Sequence, residues 1–169
     1  FSTDQGYLAN PYREIRFVDP NNPTGYTLAP QVYPDTRTMD AVSASLKYYL
    51  PYRAALTGKY RFFTDSWGIV AHTLQIDYVQ PVRHHWTLDG NIRYYRQGAA
   101  SFYSDLFPYA NYANYMARDR ELAAFHSLTL GAEASYSFSI PRLTWIQKSS
   151  ASLRFDRMRI SYLGYRDAL

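Results

Sequence analysis

Residues 52–62 alternate strictly: Tyr52, Ala54, Leu56, Gly58, Tyr60 and Phe62 fall on one face, and Arg53, Ala55, Thr57, Lys59 and Arg61 on the other. A period of two predicts an extended strand, because successive side chains of a strand leave opposite faces. The apolar face runs from aromatic through small and aliphatic back to aromatic. A strand crossing a bilayer wants that order, with rings at both headgroup levels and small apolar groups between them. Tyr52 and Tyr60 stand eight residues apart. At about 3.3 Å per residue and a tilt of about 40°, their heights differ by roughly 20 Å, close to the apolar band of an outer-membrane barrel.

The pattern recurs. Trp86, Leu88, Gly90, Ile92 and Tyr94 oppose Thr87, Asp89, Asn91, Arg93 and Tyr95, and Val70, His72, Leu74, Ile76 and Tyr78 oppose Ala71, Thr73, Gln75 and Asp77. Residues 42–50 and 124–138 repeat it; a stretch from Ala151 and one over 12–19 do so more weakly. The expected membrane girdle is Tyr52, Tyr60, Phe62, Tyr78, Trp86, Tyr94, Tyr136 and Phe138. The expected polar network of a lumen is Lys59, Arg61, Asp77, Asp89, Arg93, Glu133, Arg154 and Asp156.

A soluble sandwich or lipocalin-like barrel alternates too. Its core favours branched aliphatics, whereas here Ala and Gly are frequent on the apolar faces, aromatics gather at strand ends, and charges lie deep in the opposite faces. The expected fold is all-β: one antiparallel transmembrane β-barrel domain of the outer-membrane type over residues 1–169.

Turn chemistry sets an orientation. Leu50-Pro51, Gln80-Pro81 and Ile140-Pro141 sit at short joins, and proline marks a strand's end because it cannot donate to a ladder. Long polar connections, 19–37 and 97–119, lie at the other ends, with Asp65-Ser-Trp-Gly68 a short exception. Short periplasmic turns and long outer loops are the habit of outer-membrane barrels. Pro51, Pro81 and Pro141 are therefore expected on the periplasmic side. About seven strands can be counted, below the even eight or more of single-chain bacterial barrels, so further strands are expected beyond one end or both.

Composition narrows the classes. Hydrophobic residues make up 47% of 169, yet no run approaches the roughly 18 apolar residues of a membrane helix. The 18 tyrosines, each an apolar ring with a polar tip, suit interfaces. With no cysteine, thiolate metal sites, disulfides and Cys nucleophiles are excluded; no metal or cofactor is expected. The net charge of +4 is spread along strands, so no nucleic-acid partner is expected. The opening Phe1-Ser-Thr-Asp is not a secretory leader. An outer-membrane protein needs one, so the expectation is a cleaved leader or a partial chain.

Three constellations could carry chemistry. A turn centred near Arg83 would set Asp77 opposite Asp89, two carboxylates needing a neighbouring cation or a shared proton. Either the lumen charges neutralise one another, or they line a polar pore. His72 with Asp65 and Ser66 is the one arrangement that could approach a hydrolase site at the outer rim. His84-His85 cannot chelate one ion from a regular strand, since adjacent residues face opposite ways. The aromatic stretch 97–115 would fold inward as a plug, form an outer-leaflet collar, or dock on a partner, with Phe102, Tyr103, Phe107 and Tyr109 as anchors.

Four segments, in order, carry a resemblance: Gly6-Tyr-Leu-Ala-Asn-Pro-Tyr-Arg13; Tyr60-Arg-Phe-Phe-Thr-Asp-Ser-Trp-Gly68 with His72-Thr73; Arg93-Tyr-Tyr-Arg-Gln-Gly-Ala-Ala-Ser-Phe-Tyr103; and Arg118-Asp-Arg-Glu-Leu122. Together they resemble a bacterial family of outer-membrane barrels known as domain of unknown function 3570. The resemblance covers most of the chain and implies a barrel in the outer membrane, but no activity. Family members look longer, with a further strand after the Tyr165-Arg-Asp region. The functional expectation is a structural or interaction subunit of an envelope assembly, its lumen plugged by paired charges. Its partners would be outer-membrane lipids and envelope proteins. A diffusion channel for small polar solutes and an outer-membrane enzyme are the alternatives.

Overall fold

The computed structural model describes residues 1–6, 8, 12–138 and 149–164. They form strands β1 (Ser2–Gln5), β2 (Glu14–Val18), β3 (Tyr26–Pro30), β4 (Thr36–Tyr49), β5 (Ala55–Asp65), β6 (Val70–Val82), β7 (Trp86–Gln97), β8 (Ala124–Phe138) and β9 (Ser149–Leu163). Among the described residues helix is confined to one 3-10 turn, Arg120–Leu122. No helix among the described residues is long and apolar enough to cross a membrane, which does not bear on strands.

The fold is all-β and antiparallel. One sheet runs β1-β4-β5-β6-β7-β8-β9; β2 and β3 pair separately as a hairpin. Six long strands, β4 to β9, follow one another as an up-and-down meander; at one end short turns join β4 to β5 and β6 to β7. Among the described residues the sheet does not close: its edge strands, β1 and β9, are not neighbours.

Local chemistry explains where the elements differ from the expected ones. Residues 52–54 belong to a turn, not to β5. Pro51 has no N–H to give, Arg53 sits at φ 68°, and the Leu50 N–H closes the turn on the Ala54 carbonyl at 2.8 Å. Tyr52 therefore stands at the foot of the sheet rather than on a strand. Pro81, expected to end its strand, lies inside β6 and pairs with Thr87. β5 already ends opposite Val79, so one side of β6 has no ladder to lose there. The weak segment 12–19 becomes β2, and the expected loop 19–37 contains β3, so both belong to the loop region. The expected turn at Pro141 and the stretch 165–169 lie outside the described residues.

Buried apolar side chains gather in the loops. One cluster holds Trp67, Ile69, Ala100, Phe102, Ala117 and Leu122; a second holds Ile15, Phe107 and Met116. Trp67, Phe102 and Tyr33 meet edge to face, with centroids 5.3–5.5 Å apart, a favoured aromatic geometry. Loops 66–69 and 98–123 and the β2–β3 hairpin thus fold into a cap at the end of the sheet opposite the short turns. Its two parts are stitched by the backbone pairs Val18 with Phe107 and Val32 with Met116.

Candidate functional site

The register sorts the strand residues onto two faces. One face presents Val42, Ala44, Leu46 and Tyr48 on β4, Leu56 to Phe62 on β5, Leu74 to Tyr78 on β6, Leu88 to Tyr94 on β7, and Leu128 to Tyr136 on β8, taking alternate residues. It has almost no protein cover: Leu46 is 77% exposed, Leu74 51% and Ile92 51%. The expected girdle residues Tyr60, Phe62, Tyr78, Trp86, Tyr94, Tyr136 and Phe138 share this face. Tyr136 stacks on Phe138 and contacts Trp86 at the short-turn end.

The opposite face is ionic, and all eight expected lumen residues lie on it. The Lys59 ammonium pairs with Asp77 at 2.8 Å, and the Gln75 amide donates to Asp77 at 2.7 Å. The Arg154 guanidinium donates to Asp156 at 2.6 Å and lies 3.8 Å from Glu133, which also accepts from the Ser135 hydroxyl at 3.2 Å. Gly131 lets two strands meet here: a methyl group at its position would overlap Asn91 Oδ1 and Asp156 Oδ1. Arg61 and Arg93 have no carboxylate within ion-pair distance among the described residues, and Arg61 lies over the Phe63 ring. They flank a cavity of about 380 Å³ with Ser43, Ser45, Thr73 and Gln75.

The expected Asp77–Asp89 pair is not formed. Arg83 takes φ 56° in a turn displaced by one residue, so Asp77 faces Asn91 and Asp89 faces Val79. The facing carboxylates are instead Asp89 and Glu133, across β7 and β8, with Arg154 opposite Glu133 on β9. Sequence reasoning missed this because register between strands joined by a long loop has no local signal.

The cap has its own polar centre. Asp119, 7% exposed, accepts from Arg13 at 2.6 Å, from the Gln31 amide at 3.3 Å and from the Tyr33 hydroxyl. Burial and the bond to Asp119 push the Tyr33 phenol well above its ordinary range. The bond to Asp119 also raises the Arg13 guanidinium. Asp65 receives Arg37 through Nε and Nη2 at 2.9 and 2.7 Å, and its other oxygen accepts from the Trp67 and Ile69 amides. Arg37 stacks 4.5 Å over Trp67. Gln97, at the top of β7, donates to the Glu121 and Ala123 carbonyls and fastens the cap to the sheet. Arg13 and Asp119 each lie in a segment that carries the resemblance, whereas nothing in the sequence pointed to Tyr33.

Two of the four expected docking anchors are core residues. Phe102 is 8% and Phe107 4% exposed, each covered by the cap itself, and Tyr103 is half-buried against the first cluster. Tyr109 remains outside, 58% exposed, edge-on to Tyr112.

The model of a family described as "Protein of unknown function (DUF3570)" matches residues 1–161. The chain belongs to this family. No curated protein matches it. No solved structure matches it either. In this DUF3570 chain His72 and Asp65 cannot form the expected rim site. His72 is on the apolar face, its Nδ1 2.7 Å from the Tyr60 hydroxyl, while Asp65 lies on the ionic face, held by Arg37.

Proposed function

We propose that this chain forms part of a β-barrel in the bacterial outer membrane. It acts as a structural or interaction subunit of an envelope assembly, with outer-membrane lipids around it and envelope proteins as partners. The lumen is filled by mutually paired charges, and the cap covers its outer mouth.

The observation that carries this reading is the slope of the apolar band across the sheet. Cross-strand partners define rows perpendicular to the strands. The row of Val42, Phe62, His72, Arg96, His126 and Ser161 begins apolar and ends polar. At the upper border the unbroken apolar run ends at Val42 on β4, at Tyr94 on β7 (one row lower) and at Phe155 on β9 (three rows lower), with Val70 on β6 and Leu163 on β9 standing beyond a polar break. Three rows are about 20 Å of strand and five strand spacings about 24 Å of sheet, a slope of about 40°. The lower aromatics drift the same way, from Tyr48 and Tyr78 to Trp86, Tyr136 and Phe138. A layer bounded by two parallel planes imposes such a slope on strands tilted by 35–45°, the tilt of barrels. The band covers on the order of 600 Å², the upper limit of what soluble monomers leave open.

The test is a spin-label scan of residues 70–78 in outer membranes. Even-numbered positions should meet oxygen dissolved in lipid, and odd-numbered ones a water-soluble nickel reagent. Equal water exposure on both faces removes the membrane reading. A gentle-detergent pull-down tests the partner claim, which fails if the barrel always isolates alone.

A diffusion channel is the second reading, favoured by the unpaired Arg61 and Arg93 beside their cavity. Steady open-channel current in planar bilayers would replace the plugged scaffold with an anion-preferring pore.

A further inference from the structure

The apolar-side face carries very few ionic residues. On the strands these are Asp40, alone at the far end of β4, and Arg96, Arg157 and Arg159. Arg157 and Arg159 are same-face neighbours on β9, and Arg96 stands two strands away across β8. Arg96 on β7 faces His126 on β8; Arg159 on β9 faces Leu128, one row below His126, and Arg157 faces Leu130. Two strand spacings, about 10 Å, separate β7 from β9. Arg96, Arg157 and Arg159 are all exposed, and no carboxylate lies within ion-pair distance of any of them among the described residues. Every carboxylate of β5 to β9 points to the other face.

Their place on that face is specific. Following β9 upward, Ala151, Leu153 and Phe155 form the apolar run, Arg157, Arg159 and Ser161 come next, and Leu163 ends the strand. On β7, Tyr94 is the last apolar residue and Arg96 follows it. Because the apolar border slopes across the sheet, Arg96 comes level with the Arg157–Arg159 pair from a higher row, the two members of the pair standing one row apart on β9. They form a cationic fringe immediately above the hydrocarbon level, on the cap side. His126 sits between them with its ring 6.3 Å from that of Tyr94.

We propose that this fringe, Arg96, His126, Arg157 and Arg159, is a binding site for the phosphate groups of an anionic lipid of the outer leaflet. Guanidinium forks match phosphate oxygens bidentately, and unpaired arginines beside an apolar wall select a ligand that carries both acyl chains and phosphate. The inference rests on the membrane reading above and adds the ligand and its residues. The free-anion alternative lacks the apolar component that the wall below the fringe recognises.

The full protein, purified in zwitterionic detergent, is titrated with diphosphorylated lipid A, with its phosphate-free form and with inorganic phosphate. Retention is read by native mass spectrometry. Lipid A should stay bound, and the other two should not. Changing Arg96→Gln, Arg157→Gln and Arg159→Gln together should lower retention on the order of tenfold or more, while the Arg→Lys versions, which keep the charge but lose the bidentate fork, fall between the native protein and the Gln variant. Mobility on unheated gels reports whether each variant keeps its barrel. Equal retention of the phosphate-free lipid, or undiminished retention by a folded triple Gln variant, overturns the inference and leaves the barrel standing. Tight binding of inorganic phosphate alone overturns the lipid assignment. A native protein that needs no detergent and shows no heat-dependent mobility overturns the barrel reading itself.

Discussion

The cap and the sheet treat apolar side chains in opposite ways. Trp67, Ile69 and Leu122 in the cap keep 3–4% of their surface, whereas Leu46, Ile76 and Leu130 on the sheet keep 45–77%. The cap is built as a water-soluble protein is built: rings packed edge to face, a buried carboxylate fully partnered, apolar groups hidden from solvent. The sheet inverts that plan, with ion pairs on one face and aliphatics on the open one. On the membrane reading proposed above, two different solvents meet one chain. That contrast explains why the largest concentrations of buried contacts occur in loops, where a soluble sheet protein would have few.

The largest expected effect lies in the cap. Trp67→Ala removes the ring that joins Tyr33, Phe102 and Arg37, and should cost about 3–5 kcal/mol of cap stability. Protease sensitivity of residues 98–123 should rise while the sheet keeps its far-ultraviolet dichroism. Loss of both together would mean the two regions are not separate units. Next comes Leu74→Arg, on the open face. At mid-bilayer it should cost about 2–4 kcal/mol in unfolding from lipid; a harmless change would place that face in water. A smaller effect is expected on the ionic face. Gly131→Ala pushes aside Asn91 and Asp156, short side chains that can turn away, at a cost of about 1–2 kcal/mol by denaturant titration.

The smallest is a pH effect confined to the cap. Tyr33 has its folded phenol pKa raised by burial and by its bond to Asp119, so its contribution is intact below the ordinary tyrosine range. As pH climbs past about 10, the unfolded chain ionises first and that contribution is lost. Tyr33→Phe should flatten this alkaline loss relative to the native cap, at a cost near neutrality of about 1 kcal/mol for the missing hydrogen bond. An identical alkaline profile in both proteins would remove Tyr33 as its source.

Much of the sheet was legible residue by residue. Residues 124–138 read as a strand and are one, and Lys59, Asp77, Arg154 and Asp156 share the face that alternation gave them. The misreadings cluster where backbone and long-range contacts decide. Tyr52 left its strand because Arg53 turns left-handed after Pro51. Asp77 missed Asp89 because Arg83 shifted the hairpin by one residue. Phe102 and Phe107 became core because partners from 15 to 122 converge on them from distant parts of the chain.

Alternation is a local property, so the sequence alone determined which segments are extended and which side of each is apolar. It could not determine register across a loop, or which loop rings find one another, since those depend on contacts between residues far apart in the chain. Only the assembled sheet, with its cross-strand rows in place, reveals that the apolar band runs at an angle to them and that three arginines from two strands reach its border together.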